Sequence, residues 1–272
     1  MEILDNNHSL KDIIFEVAEI AGFLWQRGWA ERNAGNISVN ITGLINGETG
    51  NTGEFPSYGL PQNYTVLAGN YFFVSGTGRR MRDLAREPLR NALIIRLDEK
   101  GSSYSVISSS NKEAASMFSP TSELPTHLGI HQMIGLRASA EKVVIHTHAN
   151  ELAALTQIEK YCNEDALNKL LWGMHPETIV FIPGGVGFVP YVTPGTTHIA
   201  EETIRALHHH KVALWEKHGV FAIGETVFDT FDLIDILVKS AKIFFLVKSS
   251  GHEPQGLDDE QLEILKKLSA NF

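Results

Sequence analysis

The sequence has only one cysteine, Cys162, among its 272 residues. A single thiol cannot form a disulfide within its own chain, which argues against a disulfide-stabilised secreted scaffold and favours a reducing compartment. No apolar run approaches the roughly 18 residues that a membrane helix needs. The N-terminus, Met1 to His8, lacks the basic flank and apolar core of a signal peptide. We therefore expect a cytoplasmic protein.

Basic residues are also scarce, with 23 Lys plus Arg against 32 Asp plus Glu and a formal net charge of -9. This charge has the wrong sign for binding phosphate backbones or anionic lipid, so we expect neither a nucleic-acid nor a membrane partner. Hydrophobic residues make up 43% of the chain, which is enough for a sizeable core. Without internal repeats or an obvious linker, the sequence favours one domain over residues 1-272.

The periodicity of apolar residues predicts both helices and strands. Ser9 and Asp12 have the spacing of a capping box at the start of a helix that ends near Gly28. Further helices are expected over about 123–137, 151–157, 166–172, 196–209 and 227–248. Strands are expected over 37–41, 71–74, 91–97, 104–107, 143–145, 178–182, 212–215 and 220–223, and the glycine-rich stretch 43–63 is predicted to be a long surface loop.

This mixture of elements indicates an α/β fold. Turn residues between several neighbouring strands predict antiparallel connections, whereas other strands are separated by helices. We therefore expect a layered fold with a central mixed, largely antiparallel sheet flanked by helices.

The strongest chemical signal is the sequence His146-Thr147-His148 after an apolar strand. Residues i and i+2 of a strand point to the same side, so the two imidazoles can reach one metal ion. His218, beside another strand, could supply a third nitrogen, and three histidines with an open position are typical of catalytic zinc. The alternatives are buried histidines satisfied by hydrogen bonds and, for His218, an ordinary hairpin turn.

Other histidines are weaker candidates for a metal site. His127 and His131 are four residues apart on a predicted helix and could chelate an ion, but packing or hydrogen bonding is the favoured interpretation. His208, His209 and His210 are consecutive at a helix end, so their side chains point in different directions and cannot converge on one ion.

Two short polar segments have the character of anion-binding sites. Thr121-Ser122-Glu123 places two hydroxyls and a carboxylate at a helix start, where backbone N–H groups attract anions; an ordinary N-cap is the alternative. Ser75-Gly76-Thr77-Gly78 follows a strand and could hold phosphate through backbone amides. It lacks the third glycine of a dinucleotide fingerprint and the Lys-Ser/Thr of a P-loop, which disfavours nucleotide binding.

Taken together, five motifs resemble the zinc-dependent class II sugar-phosphate aldolases along nearly the whole chain. They are Asn33-Ala34-Gly35-Asn36, Ser75-Gly76, Thr121-Ser122-Glu123, His146-Thr147-His148 and His218-Gly219. The glycine-rich stretch and Leu171-Trp172-Gly173 followed by Glu177 are most similar to the members that cleave L-rhamnulose 1-phosphate. Ala34 departs from a close relative, which has glycine there.

The resemblance implies a role for each matching residue. His146, His148 and His218 correspond to ligands of one Zn²⁺ per subunit, and Glu123 corresponds to the catalytic acid and base. Glu177 corresponds to a glutamate presented across a subunit boundary, which implies a homotetramer with active sites at subunit interfaces. The implied contacts to the phosphorylated sugar are Asn33, Gly35, Asn36, Ser75, Gly76, Thr121 and Ser122.

The implied reaction is retro-aldol cleavage between C3 and C4 of L-rhamnulose 1-phosphate, through an enediolate stabilised by zinc. The products would be dihydroxyacetone phosphate and L-lactaldehyde. Three alternatives remain: an aldolase for another ketose 1-phosphate such as L-fuculose 1-phosphate, a sugar-phosphate epimerase, and a non-catalytic scaffold module of the same fold. Three histidines together with Glu123 argue against the scaffold module, which has no need of a metal with an open position.

Overall fold

The computed structural model describes residues 7–45, 55–107 and 118–269. The chain divides into two compact units. The first unit consists of Met1–Thr147 with Gly224–Phe228, and the second of His148–Ile223 with Asp229–Phe272. The single domain over residues 1-272 stays a prediction.

Within its described residues, the first unit is built around six strands. Its elements are α1 (His8–Gln26), β1 (Asn36–Asn40), β2 (Ser57–Gly59), β3 (Tyr71–Ser75), α2 (Met81–Leu84), α3 (Pro88–Asn91), β4 (Ala92–Leu97), β5 (Ser103–Val106), α4 (Leu124–Leu136) and β6 (Val143–Thr147), with 3-10 turns at Thr42–Leu44 and Thr65–Leu67. The strands lie in the order β2-β5-β4-β3-β1-β6, and each neighbouring pair is antiparallel.

The second unit has more helices than strands. Its elements are α5 (Asn150–Leu155), a 3-10 turn (Glu159–Tyr161), α6 (Glu164–Met174), α7 (Pro176–Phe181), β7 (Val186–Val189), α8 (Thr197–Leu207), β8 (Val212–Trp215), β9 (Val220–Gly224), α9 (Val227–Ser249) and α10 (Asp259–Leu268); the end of β9 and the start of α9 belong to the first unit. β8 pairs antiparallel with β9 and parallel with β7. The predicted α/β class with mixed, largely antiparallel strands is therefore confirmed.

The core of the first unit fixes the position of α4. Apolar side chains of β3, β4 and β5 pack with Leu124 and Leu128 from the start of that helix. Their burial stabilises the packing by about 25 cal/mol per Å² of apolar surface removed from water. This core holds the first turns of α4 in one place.

The predicted strand over residues 178–182 is wrong, because residues 178–181 belong to helix α7 and Ile182 is its C-cap. Pro176 occupies the first turn of α7, a position where its missing N–H costs no hydrogen bond. Thr178 and Ile182 are buried at a spacing of four, and the Thr178 hydroxyl lies 2.7 Å from the Ser240 hydroxyl of α9. Tertiary contacts thus override the strand propensity of a β-branched run. The strand that follows, β7, was missed because glycines precede it.

Two local predictions also differ from the structure. The cap of α1 is Asn7, whose side-chain oxygen accepts from Leu10 N at 2.9 Å, so the predicted capping box at Ser9 is wrong. The predicted loop 43–63 contains β2, which pairs with β5. Residues 46–54 of that loop lie outside the described residues.

The C-terminal segment packs within the second unit. Leu257 N donates to Gly173 O of α6 at 2.8 Å, and a capping box between Asp258 and Gln261 starts α10. None of the helices in the described parts of the chain combines the length and apolar character needed to cross a bilayer.

The turn at Gly101 provides a test of the packing in the first unit. Gly101 has φ +65°, and an added Cβ would lie 2.2 Å from Tyr64 O. We expect Gly101→Ala to lower the free energy of unfolding by about 2–4 kcal/mol, because backbone strain and a steric clash add. Gly78 has φ +67° and open space around its Cβ position, so Gly78→Ala should cost only about 1–2 kcal/mol. Urea denaturation measures both, and equal losses would contradict the steric argument.

Candidate metal centre and active site

His146 is delivered by β6, a strand that is buried along its whole length. The β-branched run Val143-Val144-Ile145 favours this extended, buried conformation. The antiparallel register places His146 opposite Asn36 of β1. The histidine side chain is 1% exposed.

His148 follows β6 directly, and His218 belongs to the turn that joins β8 to β9. Their Nε2 atoms are 3.1 Å apart, and both rings are partly buried. Lys217, which precedes His218, has φ +59°, and its backbone N–H donates to the Thr156 hydroxyl at 2.7 Å. His218 is therefore a turn residue that directly follows a strained but well-anchored backbone position at Lys217.

The three predicted ligands form one group, in which the ligand atoms of His146, His148 and His218 lie within 4.8 Å of one another. Two peptide bonds link the first two histidines through Thr147. Among residues 7–45, 55–107 and 118–269, this is the one group of three His, Cys, Asp or Glu side chains spaced to hold an ion.

The donor set fits a first-row transition metal such as zinc. Imidazole nitrogens suit zinc, whereas magnesium and calcium prefer oxygen ligands. Tetrahedral Zn–N bonds of about 2.0–2.1 Å imply nitrogens about 3.3 Å apart, close to the 3.1 Å between His148 and His218. Three protein ligands would leave a position for a substrate oxygen.

The Glu123 carboxylate lies beside this group. Its Oε2 is 3.8 Å from His146 Nε2 and accepts a hydrogen bond of 2.8 Å from the Asn36 amide. Glu123 occupies the N-cap position of α4, but its carboxylate contacts Asn36 instead of capping the helix. The sequence-predicted acid and base is thus 16% exposed and close to the imidazoles.

A buried hydrogen-bonded chain lies behind Asn36. The Asn36 carbonyl oxygen contacts His127 Nε2, and His127 Nδ1 lies 2.7 Å from the Ser38 hydroxyl. The same hydroxyl lies 2.8 Å from His131 Nε2. His127 and His131 therefore bond to a strand hydroxyl, which confirms hydrogen bonding over chelation for this pair.

Burial lowers the pKa of both His127 and His131 to about 3, because water is excluded from the charged form of each ring. For His127, the neighbouring Glu123 raises the pKa by a smaller amount. Both rings are neutral at physiological pH. Sequence reasoning missed Ser38, although the alternation of β1 places it on the same side as Asn36.

Ser75 connects two of the predicted phosphate-binding segments. Its hydroxyl accepts from Ile37 N at 3.0 Å, and its carbonyl accepts from Thr121 N at 2.8 Å. The end of β3, the start of β1 and the segment before α4 therefore meet at one edge of the strands. Ser122 is exposed there, whereas Thr121 is buried.

Two glycines make this edge compact. Gly35 has φ +80°, and a Cβ there would lie 3.3 Å from His146 O, so a side chain would press on β6. A Cβ at Gly76 would lie 2.3 Å from the Phe118 ring. The Gly76 N–H already donates to Asn91 O at 2.9 Å, so Gly76 contributes space rather than a donor.

Most of the remaining predicted residues lie on the surface, although His210 is largely buried. Asn33 is exposed in the connection between α1 and β1. Glu177 is exposed on α7, where its Oε2 is 2.9 Å from His175 Nε2. In the triplet, His208 is the C-cap of α8, and His210 Nε2 pairs with Glu164 at 3.2 Å.

Comparison with known proteins shows similarity along most of the chain. A family model described as Class II Aldolase and Adducin N-terminal domain matches residues 15–245. A protein from Bacteroides thetaiotaomicron named rhamnulose-1-phosphate aldolase is 44% identical over 273 residues, covering 99% of this chain and 97% of the relative.

Solved structures give the same picture. The crystal structure of a sugar-phosphate aldolase from Thermotoga maritima has a TM-score of 0.75 and 29% identity, and the match covers 91% of this chain and 100% of that one. An L-fuculose 1-phosphate aldolase matches with a TM-score of 0.61 over 96% of this chain and 97% of its own. Its identity is 19%, so that likeness concerns the fold alone.

The two neutral histidines make stability depend on pH. Each unfolded histidine binds a proton below its ordinary pKa of about 6.5, whereas the folded rings resist protonation until pH about 3. Their contribution is complete above pH 6.5 and is lost as the pH falls toward 3. With chelator present, we expect these two rings to lower the free energy of unfolding by up to about 2.7 kcal/mol per pH unit between pH 6 and 5.

The control for this prediction is His131→Gln, which removes one of the two groups. In this variant only His127 remains, and it should contribute about half of the slope that the wild-type pair contributes. Urea denaturation at each pH measures the slope. An unchanged slope in the variant would show that His131 is not held neutral by folding.

Proposed function

Because the chain belongs to the class II aldolase and adducin N-terminal domain family, we propose that it is a zinc-dependent aldolase that cleaves L-rhamnulose 1-phosphate. The substrate follows the name of the 44% identical relative. The observation that carries the proposal is the Glu123 carboxylate 3.8 Å from one of three clustered imidazoles. The products are dihydroxyacetone phosphate and L-lactaldehyde.

His146, His148 and His218 would hold the metal. A zinc ion bound there would act as a Lewis acid that withdraws electron density from substrate oxygens. Neutral imidazoles support this role, because they leave the positive charge of the ion uncompensated.

Glu123 handles the proton at C3. A base takes the proton of the C4 hydroxyl, the C3–C4 bond breaks with its electron pair moving toward C2 and C3, and C4 becomes the aldehyde carbon of L-lactaldehyde. Glu123, which has taken up a proton from solvent before this step, delivers that proton to C3 and becomes a carboxylate again, which completes dihydroxyacetone phosphate, while the base returns the C4 hydroxyl proton to solvent. The Asn36 amide holds the carboxylate through its bond to Oε2.

The phosphate group binds at the edge where β1, β3 and the start of α4 meet. Thr121 and Ser122 precede the N-terminus of α4, where backbone N–H groups favour an anion. In this proposal Asn33 contacts the sugar, and the phosphate segments are those with Gly35, Asn36, Ser75, Gly76, Thr121 and Ser122.

We propose that the active enzyme is a cytoplasmic homotetramer whose subunits each consist of a single domain. Glu177 is exposed on its helix, where its carboxylate pairs with His175. This exposure makes it accessible to another subunit. In this proposal Glu177 of a neighbour completes the active site and is a candidate base for the C4 hydroxyl.

The first experiment is an assay for triose release from L-rhamnulose 1-phosphate by zinc-loaded protein, with and without chelator. We expect chelator-sensitive release. Glu123→Gln should lower kcat by about 10²–10⁴-fold and keep the metal, because it removes only the acid and base. His146→Ala should lose both metal and activity. His208→Ala, at a helix end, is the control and should match wild type.

Other outcomes separate the alternatives. Fully active protein without metal would refute the zinc mechanism. Zinc-loaded protein that isomerises the substrate but releases no triose would be an epimerase. Triose release from L-fuculose 1-phosphate, with none from L-rhamnulose 1-phosphate, would show that the substrate is a different ketose 1-phosphate.

Mixing of two inactive variants tests the role of Glu177. We expect Glu123→Gln and Glu177→Gln each to be impaired, and co-refolded mixtures to regain activity, because some mixed sites would combine intact copies of both glutamates. Activity of the mixture is compared with that of each variant refolded alone. If mixing restores no activity, Glu177 does not act on a neighbouring subunit.

A further inference from the structure

We infer that Ser38, His127 and His131 are positioning residues that fix the orientation of the Asn36 amide and thereby aim the Glu123 carboxylate. The chain of contacts runs from α4 to β1, back to α4, back to β1 and finally to Glu123. This inference deepens the proposed function, because it depends on Glu123 as the catalytic acid and base.

The direction of each hydrogen bond can be derived from the carboxylate end. The Asn36 nitrogen can only donate and faces Glu123 Oε2 at 2.8 Å, so the Asn36 NH₂ group donates to that oxygen. The Asn36 carbonyl oxygen is then the atom facing His127 Nε2, which must carry a proton and donate. A neutral imidazole has one N–H, so His127 Nδ1 is an acceptor.

The remaining two bonds follow in the same way. The Ser38 hydroxyl donates its single proton to His127 Nδ1 at 2.7 Å. Its oxygen is then the acceptor for His131 Nε2, which lies 2.8 Å away and carries the proton of that ring. Every donor in the chain therefore points toward Glu123, and both histidines are the Nε2–H tautomer.

The burial of these groups makes the arrangement rigid. Ser38, His127 and His131 are 1%, 0% and 2% exposed, so solvent cannot substitute for a lost partner. Burial also lowers the pKa of both rings to about 3, which keeps each ring to one proton. Rotation of the Asn36 amide by 180° would place its carbonyl against the carboxylate and its NH₂ group against a donor, with both bonds lost.

Core stability alone does not account for this polar chain. Apolar side chains of similar size would fill the space without the desolvation cost of buried polar groups. The chain ends at the Glu123 carboxylate beside His146, and its role is to control the orientation of that carboxylate.

The first test compares two buried serines. Ser38→Ala removes the link between the histidines, and we expect kcat to fall about 10- to 100-fold with KM within about threefold and zinc content unchanged. Ser240→Ala is the matched control, because Ser240 is 0% exposed and bonded to the Thr178 hydroxyl at 2.7 Å. Its kcat should remain that of wild type. Wild-type kcat in Ser38→Ala would overturn the inference.

A conservative pair at His127 adds a second kinetic test. Gln reaches the Nε2 position with an amide donor, whereas Asn is one methylene shorter and does not. We expect His127→Gln to keep at least tenfold more kcat than His127→Asn. Equal kcat values for the two variants at equal stability would refute the role of the Nε2 donor.

Nitrogen NMR of imidazole-labelled protein tests the tautomers without any assay. We expect protonated Nε2 and unprotonated Nδ1 on both His127 and His131 at pH 6, with the exposed His208 ring recorded as an internal reference. An Nδ1–H tautomer at His127 would reverse the derived direction and refute the inference. If wild type cleaves no ketose 1-phosphate while the tautomers are as derived, the proposed function fails and the Asn36 orientation stands.

Discussion

The site depends on the alternation of side chains along β1. Asn36 and Ser38 are on one side of the strand, and both contact residues of α4 or its N-cap. Ile37 and Val39, on the other side, are buried in apolar surroundings. Because β1 also pairs with β3 and β6, its register fixes Ser75 and His146 relative to Asn36. A shift of one residue would exchange the polar and apolar sides and dismantle the site.

Much of the fold could be predicted because local pattern and tertiary context agree. The strands from Tyr71 to Val106 alternate or are short apolar runs between clear turns, and they form as expected. Residues 178–182 show the limit of this method, since their β-branched composition favours a strand while Pro176 and contacts to α9 select a helix. The Asn7 cap shows the same limit at smaller scale, because several polar residues near Ser9 could start the helix.

The candidate site likewise has a part that the sequence could predict and a part that it could not. The His146 and His148 spacing predicted convergence because the two residues are only two apart at the end of a strand, and in the structure His148 directly follows β6. The approach of His218 depends on the turn that contains Lys217 and its bond to Thr156, which no spacing rule encodes. Ser38 was missed because a lone strand serine carries no chemical signal of its own. Its function becomes visible only when the register places it between two histidines of α4.

The start of α4 has a consequence for protein engineering. Glu123 occupies the N-cap, where Ser, Thr, Asp or Asn would bond the helix backbone and stabilise the fold by about 1 kcal/mol. Its carboxylate instead faces Asn36 and His146, so the helix forgoes that stabilisation. Selection for thermal tolerance alone would therefore favour replacement of Glu123, and a library screened only by melting temperature would accumulate well-folded proteins that lack the carboxylate beside His146.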